Sequence, residues 1–407
     1  MLTESTELDS LPTLDLHGEA FLADPVGVLG ALLARSPIAR SRRGLEVLSH
    51  DLQMEIFADQ HFDTPDTELL IRKGTPPAFT AFLKHGFLLG MQGERHHTIR
   101  RVIQKGFMIR RIEEQGPLMR QAASDLIDRF IDDGRADFVA DFTKLFPVLS
   151  LCRLLGVPDA DIARFKDPGV VLHKMGAQPI APEFPFIEAA LEQLGNYVDE
   201  LVRQRAAKPE ADFISALIEA QETEGVLSRE ELVWNIANLL FAGQDTTRFQ
   251  LANIMHTVIT EPEAREAWER LAADPSLGEA VMWEGIRFYP SGQWGSRMTL
   301  EDVELGGFTF SKGQRVFLQK RAASRDPARF PDPHRFDIDR PERFNLIFGR
   351  GLHNCVGQVL ARKGMEESLK VLAQRLKNVE IDGPVTRAKA NAMVGGVESL
   401  PIRFTAR

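Results

Sequence analysis

A mainly helical fold with a small amount of strand late in the chain is what this sequence predicts, and three observations carry that expectation. Apolar residues recur at three- and four-residue spacing as far as about residue 285. The stretch Arg229 to Thr260 contains no proline, and at ~1.5 Å per residue its ~32 residues would span ~48 Å. Beyond residue 296 the texture changes to short alternating segments set between glycines. Composition agrees with a folded core: 43% of the 407 residues are hydrophobic and 26% charged, which excludes a disordered or fibrous chain.

Each element has a local reason. Gln115–Asp133, Tyr197–Ala207 and Asp212–Glu224 read as amphipathic helices, and a short strand is expected near Gly44–Leu48. Ser228 with Glu231 forms a capping-box signature that would open the long helix. Its first half, Leu232 to Ala242, is apolar on nearly every face, so this helix should be buried. Within it, Gly243-Gln244-Asp245-Thr246-Thr247 is poor helix material, which points to a bend or to a local opening beside a ligand. Val303–Leu305 and Phe308–Phe310 around Gly306-Gly307 read as a hairpin. Ser324–Arg343, with four prolines among Asp and Arg, reads as a turn-rich coil whose length implies a function.

Charge and targeting signals narrow the class. A net charge of −9 disfavours a sequence-independent grip on nucleic acid or anionic lipid. No run reaches ~18 uncharged apolar residues, and the first twenty residues lack a basic segment followed by an apolar one. A soluble, cytoplasmic protein is therefore expected. Without repeats, low-complexity tracts or linkers, residues 1–407 read as one domain with no fused flavin or iron–sulfur region.

The two cysteines, Cys152 and Cys355, are too few for a disulfide framework or a thiolate-only metal site. Cys152, in Leu149-Ser150-Leu151-Cys152, reads as a small buried hydrophobe. Cys355 differs, because Phe348-Gly349-Arg350-Gly351-Leu352-His353-Asn354-Cys355-Val356-Gly357 runs straight into a helical segment. Such a loop delivers a sulfur to a helix N-terminus, where free N–H groups and the helix dipole favour a thiolate. The glycine spacing fits neither a phosphate loop nor G-x-G-x-x-G, and a nucleophilic thiol remains an alternative at this point.

The same ten residues resemble the haem-ligand loop of the cytochrome P450 family, F-G-x-G-x-H-x-C-x-G, at every fixed position. Glu284-Gly285-Ile286-Arg287 resembles its E-x-x-R, and Ala242-Gly243-Gln244-Asp245-Thr246 its A-G-x-D/E-T. The likeness continues through Leu154–Pro158, Arg325-Asp326-Pro327 and Phe330–Asp337, so it covers the chain from about residue 90 onward. Ser324 and Asn345 depart from the usual Asn and His at their positions.

The resemblance implies the cytochrome P450 fold, with the long central helix crossing over haem b. Cys355 would be the axial thiolate on the haem iron, and Thr246 with Asp245 would manage proton supply. His96, Arg100, Arg297 and His353 would hold the propionates, with His97 adjacent to His96. Phe348, Gly349, Gly357 and Ala242 would complete the cofactor's surroundings. Glu284 and Arg287 would be structural, paired with Arg340 or Arg343 of the coil. Phe79, Phe82, Phe87, Leu88, Asn238, Phe241, Gln293, Trp294, Met393 and Val394 would line the substrate pocket, implying a small apolar or aromatic substrate.

The implied activity is monooxygenation, with NAD(P)H electrons arriving through ferredoxin reductase and an acidic iron–sulfur ferredoxin. Arg101, Lys105, Arg110 and Arg111, with Arg350, Arg362 and Lys363, would form the basic face that receives the ferredoxin. The alternatives are a peroxygenase driven by hydrogen peroxide, which the Asp245-Thr246 pair argues against, and a non-catalytic haem-based ligand sensor.

Overall fold

Ser228 and Glu231 satisfy each other's backbone: the Ser228 hydroxyl accepts from the Glu231 N–H at 3.1 Å, and the Glu231 carboxylate accepts from the Ser228 N–H at 2.8 Å. From that box the helix Arg229–Thr260 runs its full 32 residues in the computed structural model, which describes residues 10–67, 70–107, 109–165, 174–175 and 180–407. Five helices frame the site: α1 (Gly93–Gly106), α2 (Phe146–Leu155), α3 (Arg229–Thr260), α4 (Gly278–Phe288) and α5 (Gln358–Arg375). Helix α3 is buried along most of its length, as its all-round apolar first half requires. It packs against α2, α4 and α5 and against helices at Phe184–Ala207 and Pro262–Ala273.

The expected local opening at Gly243–Thr247 does not occur, since the helix is continuous there. Polar side chains are absorbed by the helix instead: Thr246 Oγ1 donates to the Ala242 carbonyl at 3.3 Å, and Gln244 Nε2 to the Leu240 carbonyl at 2.5 Å. Gly243 is explained by packing, because a Cβ there would stand 3.0 Å from Leu151 of α2.

The other helices fall close to expectation. Gln115–Asp133 contains Gly116–Ile127, Tyr197–Ala207 is the end of a longer helix beginning at Phe184, and Asp212 caps Phe213–Glu224. The Val303–Leu305 and Phe308–Phe310 hairpin forms in register, with Gly306 and Gly307 both at positive φ as a two-residue hairpin turn requires.

Strand is less confined to the late chain than expected. A five-stranded sheet runs in the order β1 (Ile38–Ser41), β2 (Gly44–Val47), β5 (Arg315–Gln319), β4 (Trp294–Thr299), β3 (Phe62–Asp63). Only the β2–β5 pairing is parallel, with Leu45 opposite Val316. β2 falls on the strand expected near Gly44–Leu48, whereas β1 and β3 are too short to show a two-residue period and depend on the partners that β2 and β4 supply.

The coil Ser324–Arg343 is ordered by one buried guanidinium. Arg287 donates Nε and Nη2 to the two Glu284 carboxylate oxygens at 2.7 Å each, Nη1 to the carbonyls of Ser324 at 3.0 Å and Pro333 at 2.8 Å, and Nη2 again to that of Arg335 at 3.0 Å. All five N–H groups are thus used. Glu284 also accepts from Arg340 Nε at 3.2 Å and from the Asp337 N–H at 2.8 Å, so Arg340 is the third member and exposed Arg343 is not.

Removing one partner from such a buried set leaves an uncompensated charge. Glu284→Ala should lower the unfolding free energy by about 3–5 kcal/mol in urea denaturation, as should Arg340→Ala to a smaller extent. Arg343→Ala should stay within about 0.5 kcal/mol of the parent.

Candidate active site

The loop before α5 turns twice through conformations that favour glycine. Gly349 has φ +67° and Gly351 φ +72°, and a Cβ on Gly351 would meet the Phe57 carbonyl at 2.7 Å. The loop closes with the Cys355 N–H donating to the Phe348 carbonyl at 2.8 Å, and Gly357 caps α5. The Gly357 N–H points at the Cys355 sulfur. Burial pushes the Cys355 thiol up, while the Gly357 N–H and the charges of Lys320 and Arg100 oppose it. Deep enclosure and access coexist, because the residue is exposed to an internal cavity.

That cavity measures about 1710 Å³, more than the ~300–1,000 Å³ of an ordinary small-ligand pocket. Cys355, Phe348, Gly349, Gly357, Ala242 and Thr246 all border it, as do His96, Arg100, Arg297 and His353. Its apolar wall includes Phe79, Phe87, Leu88, Trp294, Met393 and Val394, and Asn238 also borders it. Phe82, Phe241 and Gln293 do not. Phe82 and Phe241 pack on each other with ring centroids 5.2 Å apart, in the core. Gln293 is buried, its N–H donating to the Met393 carbonyl at 2.8 Å. Apolar composition could not separate these core positions from the wall, since both are dry.

Asp245 also lies away from the cavity. Its carboxylate is buried and accepts from Arg248 Nη2 at 2.8 Å and Nε at 3.1 Å. The cavity-facing stripe of α3 takes Ala242, Gly243, Thr246 and Thr247, and Asp245, ~100° round the helix from Thr246 on the other side, falls off it.

One rim of the cavity is cationic. His353 Nε2 lies 2.8 Å from Asp63, and the His96 and His353 rings pack with centroids 4.2 Å apart, tilted by 31°. Burial and the neighbouring charges of His353, Arg100 and His97 push His96 down to about 4, so it is neutral at pH 7. Its Nε2 is buried with no hydrogen-bond partner among the described residues. Burial also pushes Arg297 down to about 10 and Lys320 down to about 8. For Asp63, burial works upward, but the His353 hydrogen bond, the Thr64 N–H and nearby positive charge outweigh it and leave the carboxyl below its ordinary value.

Asp63 and Lys320 were not legible as site residues in the sequence. Asp63 lies far along the chain from His353, and the only signal for Lys320 is a lysine directly after the apolar strand Val316-Phe317-Leu318.

This donor set suits a planar, dianionic metal macrocycle. One thiol borders the cavity, no cluster of three His, Cys, Asp or Glu side chains offers a protein-only metal site among the described residues, and the rim supplies an orphaned imidazole nitrogen and cations suited to two carboxylates. Fold and site together define a haem-thiolate enzyme.

Sequence and structure comparisons place it further. The cytochrome P450 family profile matches residues 180–270 and 274–392. The chain is 33% identical to mycinamicin IV hydroxylase/epoxidase of Micromonospora griseorubida, over 98% of this chain and 99% of that protein. It is 31% identical to the cytochrome P450 monooxygenase PikC of Streptomyces venezuelae, over 99% and 97%. Its fold matches the crystal structure of CalO2 with a TM-score of 0.88, at 24% identity, over 97% of this chain and 99% of that one. The chain belongs to the cytochrome P450 family. It is a monooxygenase with haem b as cofactor and NAD(P)H as the electron source through redox partners. No helix among the described residues is long and apolar enough to cross a membrane.

The ligand assignment is open to a spectroscopic check. Cys355→Ala should abolish the thiolate band of the reduced carbon monoxide complex, whereas Cys152→Ala, altering a fully buried residue of α2, should keep it.

Proposed function

We propose that this cytochrome P450 inserts one oxygen atom of O2 into an apolar or aromatic organic substrate, hydroxylating it or epoxidising a double bond. The observation that carries the reading is a single cavity bordered by the Cys355 sulfur, the Thr246 hydroxyl and an apolar wall of Phe79, Phe87, Leu239, Trp294, Met393 and Val394. When bound, haem supplies the iron at which O2 is reduced. The balance needs two electrons and two protons, one oxygen atom going to product and the other to water.

The chain's own residues have four tasks. Cys355 would supply the sulfur that holds the iron, and His96, Arg100, Arg297 and His353 would receive the propionates. The apolar wall excludes water and orients the substrate, with Asn238 as a polar contact. The Thr246 hydroxyl, resting on the Ala242 carbonyl, is the proton-bearing group at the cavity. Asp245 is the acid behind it and must exchange Arg248 for water or Thr246 to take part.

On this reading residues 1–407 form one domain, the protein works in the cytoplasm, and electrons come from an iron–sulfur ferredoxin. The docking face is narrower than the sequence implied. Arg362 is paired with Glu279 at 2.9 Å and Lys363 with Glu113 at 3.1 Å and Glu367 at 2.9 Å, and the side chains of Arg110 and Arg111 lie outside the described residues. Exposed Arg101 and Arg350, with exposed Leu352 in the cysteine loop, are the residues to which an acidic partner would come.

Turnover of a panel of aromatic and terpenoid compounds under 18O2, with ferredoxin and its reductase, tests the reaction: label in the product supports it, and unlabelled or absent product across binders refutes it. Thr246→Ala should still bind haem and substrate but divert NADH electrons to hydrogen peroxide, cutting product per NADH by about tenfold or more. Arg101→Glu with Arg350→Glu should slow reduction by ferredoxin and flatten its salt dependence. An unchanged rate and slope would place the donor elsewhere.

A further inference from the structure

Lys320 follows directly on β5 and borders the cavity beside Arg297, His353 and Cys355. Its Nζ donates to the Ile347 carbonyl at 2.8 Å, the one acceptor it has among the described residues, although an ammonium carries three N–H groups. The aliphatic part runs past Gly295 of β4, where a Cβ would stand 3.7 Å from Lys320 Cε. The wall it crosses therefore presents only backbone there.

Charge on this rim does not balance. Arg100 donates to Asn354 and Arg297 to the Ser296 carbonyl, and neither forms an ion pair with a carboxylate among the described residues. Lys320 forms none either, and the nearby Asp63 is engaged by His353. Three cations with no carboxylate of their own surround one side of a deep cavity. Asp63 acts on Arg297, and the Cys355 sulfur on Arg100 and Lys320, only at a distance, and enclosed cations without an acid in contact favour anionic groups from a ligand.

We propose that Lys320 is a further cationic partner of the haem propionates, acting with Arg100 and Arg297, and that it slows loss of the cofactor. The proposal rests on haem being the cavity's cofactor. Lys320 would swing its Nζ from the Ile347 carbonyl to a propionate carboxylate, exchanging a neutral acceptor for a charged one. Arg297 on the neighbouring strand would share the same carboxylate or its companion, as the Trp294–Gln319 and Arg297–Val316 pairings keep the two strands in fixed register.

The test compares wild type, Lys320→Met and Lys320→Arg, without substrate, reconstituted with haem or with haem dimethyl ester, whose propionates carry no charge. Haem transfer to excess apomyoglobin gives the dissociation rate. With haem, Lys320→Met should lose cofactor about tenfold faster or more than wild type, and Lys320→Arg should recover most of the difference. With the diester, Lys320→Met and wild type should lose it at equal rates. A Lys320→Met rate within about twofold of wild type on haem overturns the proposal. So does equal acceleration on haem and diester, which would show that Lys320 acts by packing. Should Lys320→Met fail to fold, Lys320→Gln decides on the same two comparisons. The Soret band of the reduced carbon monoxide complex is recorded throughout: its absence in wild type would refute the cofactor reading and the proposal with it, whereas its presence leaves the two rate comparisons to decide the role of Lys320.

Discussion

The guanidinium of Arg287 is the interaction on which the positioning of the thiol depends. It sits inside the protein with its five donors spent on one carboxylate and three carbonyls, and those carbonyls belong to the coil that leads from β5 toward the cysteine loop. A coil of that length has little hydrophobic content with which to hold itself, so its path has to be specified by polar contacts. Glu284 serves both ends of the arrangement, neutralising Arg287 on its own helix and holding Arg340 and the Asp337 N–H from the coil. Satisfied in full, such a network specifies one path, and partly satisfied it would favour another.

A second constraint is electrostatic. The cavity gathers Arg100, Arg297 and Lys320 around a buried sulfur, in surroundings that disfavour each of the three charges. The chain bears that cost before the cofactor enters. On the proposed reading, anionic carboxylates from the ligand would then offset it, and haem affinity and local stability would be coupled. The neutral His96, with its orphaned nitrogen, would on that reading add a directed hydrogen bond without adding charge.

How far this was legible in the sequence follows from the range of each interaction. Helix α3 was readable to its first and last residue, because capping by Ser228 and Glu231 and the run to Thr260 are local properties. The Gly306-Gly307 hairpin was readable for the same reason. The cysteine loop stood out through glycines whose positive φ and close approach to Phe57 leave no other residue type. What stayed hidden is set by distant partners: the strands β1 and β3 that complete the sheet, Asp63 holding His353, the choice of Arg340 over Arg343, and Lys320, which is an ordinary lysine until the fold encloses it. The phenylalanines misassigned to the cavity wall belong here too, since burial against Phe241 and burial against a ligand leave the same trace in composition.

Helical geometry accounts for the division of labour along α3. Asn238, Leu239, Ala242, Gly243, Thr246 and Thr247 border the cavity, a stripe at three- and four-residue spacing on one face. Asp245 falls off that stripe and meets Arg248 three residues on, an ion pair whose geometry the helix itself supplies. A hydroxyl facing the cavity and an acid facing the core are therefore consequences of where the stripe falls on an unbroken helix. Had the helix opened at Gly243, as weak helix formers in sequence suggested, the two side chains would have been free to face the same space. Continuity keeps the acid's charge out of an apolar chamber and leaves a neutral hydroxyl as the group presented there. The polar cost of the segment is absorbed by the Ala242 and Leu240 carbonyls, one turn back.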